Sequence, residues 1–207
     1  MTSVLQHRHV WLFWTLVALG VIADQAGKYG VFNALYSSNG RGEMEIIPGA
    51  FKLLAQFTSQ PATGDGLVGW LQKLNGEMLP YVNTGALFGL GARANLLFAI
   101  VSVVAAGAIV FWSTRKTALT NRFTSMALAL ILAGTLGNLF DRVVFDGVRD
   151  FLYWYYIVDW PVFNVADCCL VCGAGLLLVQ AFLNNPAHTS SPAVVPEEAQ
   201  PQVAELK

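Results

Sequence analysis

The sequence predicts an all-α polytopic membrane protein, with four transmembrane helices and a small extracytoplasmic β subdomain. Three observations lead there. Of 207 residues, 55% are hydrophobic and 12% are charged, about half the roughly 25% typical of soluble domains. The apolar residues gather in four runs, each near the roughly 20 residues that cross a bilayer. The links between the runs are unequal, and the longest mixes β-branched and aromatic residues with Gly and Pro. Mean hydropathy is +0.53. The net charge of −1 carries no basic excess that would favour nucleic acid.

The first span runs over about 10–35, with Asp24, Gln25 and Lys28 in its second half. Arg8 precedes it, as in a signal peptide, but no small-x-small cleavage site follows, so it reads as a retained helix. The second span, about 94–112, is interrupted only by Asn95 and Ser102. The third, about 123–140, is shorter and contains glycine. The fourth, about 163–183, opens on Asn164 and Asp167, and so requires shelter for both from lipid. Together 1–183 read as one membrane-embedded domain.

Basic residues in short loops orient the spans. Arg8 lies before the first, and Arg115, Lys116 and Arg122 lie between the second and third. Both termini are therefore expected in the cytoplasm. The links 36–92 and 141–162 then face outward. In the first of these, Met44–Phe57 and Leu79–Leu90 read as short strands of a β subdomain over about 40–90. A Gly-rich piece, about 58–79, separates them and suits a short helix or a lid. In the second link, Phe151–Trp160 fits an aromatic belt at the membrane surface. The Pro-, Ala- and Glu-rich tail 184–207 reads as disordered and cytoplasmic. Three clustered cysteines, Cys168, Cys169 and Cys172, form no disulfide framework and read as helix packing residues.

Ionisable residues at or within spans are expensive and call for a role. Asp24 and Lys28, at i and i+4, form an intrahelical pair. Asn138, Asp141 and Arg142 share a helix face, where Arg142 can pair with Asp141 or hold a substrate carbonyl. Asp141 reads equally as a salt-bridged helix terminus. Pro161 places the start of the fourth helix near Asn164, with Asp167 in its first turn, where the dipole favours an anion. Asp150 is placed to meet Asp167, because one short link separates them. Asp146 and Asp159 read as solvated loop acids. Two carboxylates in a low dielectric share one proton and titrate as a unit. One then activates water while the other donates to a carbonyl oxygen. The three histidines, His7, His9 and His188, lie near the termini. They leave no base for a Ser or Cys nucleophile and no H-E-x-x-H metal site.

Five blocks then resemble one family. They are Asp24-Gln25-Ala26-Gly27-Lys28, Asn83-Thr84-Gly85-Ala86-Leu87-Phe88, Gly137-Asn138-Leu139-Phe140-Asp141-Arg142, Val148-Arg149-Asp150-Phe151 and Phe163-Asn164-Val165-Ala166-Asp167. In this order, over about 10–183, they resemble lipoprotein signal peptidase, also called signal peptidase II. The resemblance implies a catalytic pair of Asp150 and Asp167, and leaves Asp141 a supporting role. It implies that Asn83, Gly85, Asn138, Arg142 and Asn164 line the site or hold substrate, with Asp24 and Lys28 as a structural pair. It implies a monomeric bacterial inner-membrane endopeptidase needing neither metal nor cofactor. The substrate would be a diacylglyceryl-modified prolipoprotein already seated in membrane lipid, cut before its lipidated cysteine near the outer face. Three departures stand out, one of them Cys168, where the family often has Ser. The stretch 58–79 looks inserted, and Arg149 occupies a position usually apolar. The rival readings are a proton- or cation-coupled transport protein and an inactive relative that only binds lipidated peptides.

Overall fold

A computed structural model describes residues 2–37, 39–85, 92–115, 119 and 121–184. Among the described residues the helices are α1 (Thr2–Ala34), α2 (Gly66–Lys73), α3 (Ala92–Ser113), α4 (Arg122–Phe145) and α5 (Val165–Asn184). Among the described residues, α1, α3, α4 and α5 are long and apolar enough to cross a membrane. The four expected spans are therefore present. The third is longer than expected, because α4 continues through Asp141 and Arg142 to Phe145. Those polar residues end the apolar run but not the helix, since both find partners inside the protein.

The helix α4 is the centre of the bundle, in contact with α1, α3 and α5. Its start is capped by Asn121, whose side chain accepts the Phe123 N–H at 2.9 Å. It stops at Asp146, which takes a left-handed conformation at φ 59°. The exterior of the spans is apolar, with Leu97, Val104, Val143 and Phe182 exposed. The interior is where the polar residues are: Asp24, Lys28, Asn138, Asp141, Arg149 and Asn164 are all buried. Small residues permit this close packing. A Cβ on Gly137 would stand 2.5 Å from Asp24 Oδ2, so only glycine lets α1 bring its carboxylate against α4.

Four antiparallel strands lie at one end of the bundle: β1 (Arg41–Ile47), β2 (Phe51–Pro61), β3 (Met78–Pro80) and β4 (Leu152–Trp154). The first half of β2 pairs with β1 on one edge and β4 on the other, and its far half pairs with β3. The expected strand over Met44–Phe57 is in fact the β1–β2 hairpin, turned at Gly49 with φ 72°. The strand expected over Leu79–Leu90 is reduced to Met78–Pro80 and a bridge at Asn83; its portion 86–90 lies outside the described residues, as does the tail 185–207. The segment 58–79 contains the short helix α2, as one of the two readings required. The aromatic run after Phe151 contains a strand that its composition did not announce. The sheet rests on the bundle through a cluster of Phe32, Ala55, Phe57 and Phe151.

Candidate active site

Backbone pairing alone brings the site together. Val148 bridges to Asn83, through hydrogen bonds of 2.8 and 3.0 Å, and Leu152 bridges to Phe163. Asp150 lies between these two bridges. It is therefore delivered between Asn83 and Asn164, the residue after Phe163. Asn83 Nδ2 donates to Asp150 Oδ2 at 3.0 Å, and Asn164 Nδ2 donates to Asp150 Oδ1 at 2.6 Å. Gly85 aims Asn83. Its N–H donates to Asn83 Oδ1 at 2.9 Å, which leaves the amide nitrogen facing Asp150. Gly85 has φ +81°, and a Cβ there would lie 2.5 Å from the Phe98 ring, so the turn requires glycine. Ala86–Phe88, the rest of this block, lie outside the described residues.

Asp167 reaches the same place from the first turn of α5. Its Oδ1 accepts from Asn138 Nδ2 at 2.9 Å, and its Oδ2 accepts from the Asn164 N–H at 3.2 Å. The Asp167 N–H donates to Asn164 Oδ1 at 3.0 Å. Asn164 thus touches both carboxylates. Asp150, Asp167, Asn83, Asn138 and Arg142 line one cavity of about 190 Å³. A second cavity, of about 260 Å³, lies beside it against β2 and shares Asn83 and Asp150. Burial pushes the Asp150 carboxyl up to about 6, and the charge of Asp167 adds to the rise against the opposing bonds from Asn83 and Asn164. The arrangement suits two carboxyl groups holding one proton next to an open volume.

Beneath the cavity lies a cluster of buried charges. Lys28 Nζ is 2.9 Å from Asp24 Oδ2 and 3.4 Å from Asp141 Oδ2. The expected Asp24–Lys28 pair is present and buried. Asp24 also accepts the Ala166 N–H at 2.9 Å, which ties α1 to the start of α5. The pairing suggested between Asp141 and Arg142 does not form. Successive residues on a helix point apart, and Asp141 turns instead to Arg149. Arg149 Nη2 donates to Asp141 Oδ1 at 2.8 Å, while its Nε and its backbone N–H donate to Oδ2 at 3.1 and 2.9 Å. Arg142 lines the cavity, with Nη1 donating to Asn138 O at 3.3 Å.

Sequence reasoning gave no role to three residues of this cluster. Arg149 was a departure without a function, yet it is the largest fully buried side chain described. Its Nη1 donates to Asn75 Oδ1 at 2.8 Å, and Nη2 to Gln25 Oε1 at 3.0 Å. Its guanidinium stacks 4.2 Å from the Tyr29 ring and 4.0 Å from the Phe145 ring. Asn75 lies in the stretch 58–79, so two of the departures from the resembled pattern touch each other. One signal was present: an arginine at a position usually apolar needs an acid, and Asp141 stands eight residues before it.

The family model described as Signal peptidase (SPase) II matches residues 16–183. The chain belongs to this family. It is 36% identical over 173 residues to the lipoprotein signal peptidase of Rhodopirellula baltica, covering 77% of this chain and 75% of that one. It is 33% identical over 181 residues to the lipoprotein signal peptidase of Pseudomonas syringae pv. tomato, covering 84% and 87%. Among solved structures, a bacterial membrane enzyme is similar with a TM-score of 0.63 at 26% identity, covering 84% of this chain and 93% of that one. A second, at 23% identity and a TM-score of 0.62, shares the fold. As a signal peptidase II, the chain is a peptidase of the membrane.

Proposed function

We propose that this signal peptidase II is an aspartic endopeptidase that removes signal peptides from diacylglyceryl-modified prolipoproteins, with Asp150 and Asp167 as its catalytic pair. The observation that carries the catalytic type is the single cavity lined by both carboxylates, bridged by Asn164 through its side-chain amide to Asp150 and its backbone N–H to Asp167. Asp150, raised by burial, holds the shared proton and gives it to the scissile carbonyl oxygen. Asp167 takes a proton from the attacking water. When the tetrahedral intermediate collapses, the C–N bond breaks, the proton taken by Asp167 passes to the leaving amine, and Asp150 takes back its proton from the hydroxyl that becomes the new carbonyl. The Arg142 guanidinium, on the wall of the cavity, supplies donors to a substrate carbonyl. The two adjoining cavities let an extended peptide cross over Asp150, with one side of the cut bond in each.

The test is cleavage in detergent. Purified protein incubated with a diacylglyceryl-modified prolipoprotein should release the signal peptide, with the new N-terminus at the lipidated cysteine by mass spectrometry. A folded protein that cuts nothing, or that instead carries protons or cations across vesicles, would overturn the reading in favour of a binding relative or a transporter. We place the site near the outer face of a bacterial inner membrane, with both termini in the cytoplasm, on the basic residues Arg115 and Arg122 that flank the short link between α3 and α4. A reporter fused after Lys207 should be active only if cytoplasmic; an exported signal refutes the orientation.

A further inference from the structure

The helix α2 has its polarity reversed. In a soluble domain the apolar stripe of a surface helix faces the core. Here Gly69 is buried and Gln72 turns inward, while Leu67, Val68 and Trp70 are exposed. Gln72 Nε2 donates to Val144 O at 2.7 Å, and Asn33 Nδ2 donates to Leu74 O at 3.1 Å. The residue that follows, Asn75, is buried and accepts from Arg149. Facing out, at i, i+3 and i+7, are Leu67 at 70% exposure, Trp70 at 57% and Leu74 at 39%.

The depth of the helix follows from its partners. Asn33 lies in the last turn of α1, and Val144 in the last turn of α4. So α2 lies across the ends of two spans, level with the boundary of the bilayer. The lipid-facing surface of α4 reaches the same level, for Val143, beside the carbonyl that Gln72 binds, is 69% exposed. The exposed stripe on α2 therefore lies at the same level as the exposed apolar surface of a span. Asp65 and Lys73, at the two ends of the helix, are exposed and able to reach headgroups. A tryptophan in the middle of the stripe has the amphipathic ring favoured at this depth.

We propose that α2 is a membrane-surface helix, seating Leu67, Trp70 and Leu74 in the lipid leaflet at the site end of the bundle. It lies in the interface rather than crossing it. Through Asn75 and Arg149, this seat braces the loop that carries Asp150. The inference does not depend on the cleavage reaction.

The test uses the full chain, with Cys168, Cys169 and Cys172 changed to Ala, in vesicles of phosphatidylethanolamine and phosphatidylglycerol. Nitroxide labels are placed singly by Leu67→Cys, Trp70→Cys, Leu74→Cys and Asp65→Cys. Collisions with oxygen should exceed those with a water-soluble nickel chelate at 67, 70 and 74, and the order should reverse at 65. Nickel dominating at 67 and 70 means the stripe faces water, and overturns the proposal. Low collision rates with both probes, with broadening between labels, mean a second copy covers it, and also overturn it. If the cysteine-free chain does not fold, Trp70→Phe in the otherwise unchanged protein gives a second readout. Bromolipid quenching of its fluorescence should fall below that of the parent; equal quenching refutes the seat.

Discussion

Replacing Arg149 by Met destabilises the folded protein by several kcal/mol, read as a fall in thermal midpoint in detergent. The buried cluster is balanced: Asp24 and Asp141 carry two negative charges, and Lys28 and Arg149 two positive ones. Removing one partner of a buried pair leaves an uncompensated charge, at a cost of about 3–5 kcal/mol. Lys28 remains against Asp141 and absorbs part of this. Two further acceptors, Asn75 Oδ1 and Gln25 Oε1, also lose a donor. The double replacement Arg149→Met with Asp141→Asn restores neutrality, and should recover a good part of the loss. A single Arg149→Met as stable as the parent would show that the cluster does not hold the loop. Asp141→Asn alone leaves an excess positive charge, and should lower the yield of folded protein while only weakening activity.

Asp150→Asn and Asp167→Asn should each lower cleavage by roughly 100- to 10,000-fold, the range for a general acid or base, while the chain still inserts and folds. Full activity in either would refute the pair. A dead but well-folded Asp141→Asn would reopen the assignment. The pH dependence follows from Asp150. Its carboxyl is raised from 3.8 to about 6, so the free protein keeps the catalytic proton below that value and loses it above. The falling limb of kcat/KM should therefore lie near pH 6 or higher, far above that of a free Asp. Both limbs of the profile belong to the pair. Stability takes the same sign. The folded state binds this proton more tightly than the unfolded state, so Asp150 favours folding least at high pH. Stability should fall as pH rises from about 4 through 6, and Asp150→Asn should remove that slope. A variant whose stability keeps the slope would assign it to another group.

The parts legible in the sequence are those carried by local pattern. Four apolar runs are visible because a span is continuous along the chain. Asp24 and Lys28 were readable as a pair because i and i+4 meet on any helix. The blocks around Asp150 and Asp167 pointed to two acids that the structure brings to one cavity. What stayed hidden depends on distant partners. Asn75 and Arg149 are 74 residues apart, and neither alone reveals the other. The end of α4 was placed too early because Asp141 and Arg142 look like residues reaching water; their partners lie in the interior instead. The strand β4 was read as an interfacial belt, since its three aromatic and aliphatic residues suit both. Only its register against Phe51–Leu53 decides for a strand.

The asparagines between the two layers of charge have one more consequence. Asn138 Oδ1 receives Lys28 Nζ and Asn164 Nδ2, each at 3.2 Å, while its amide nitrogen serves Asp167. Asn164 in turn serves Asp150. These amides have fixed donor and acceptor ends and no proton to pass on at ordinary pH. They conduct orientation but not protons, so the ionic cluster below acts on the upper pair through its charge, as Lys28 does on Asp150, and not by proton exchange through them. The protons that Asp150 and Asp167 give and take in the proposed cycle therefore do not pass through these amides to Asp141 or Lys28.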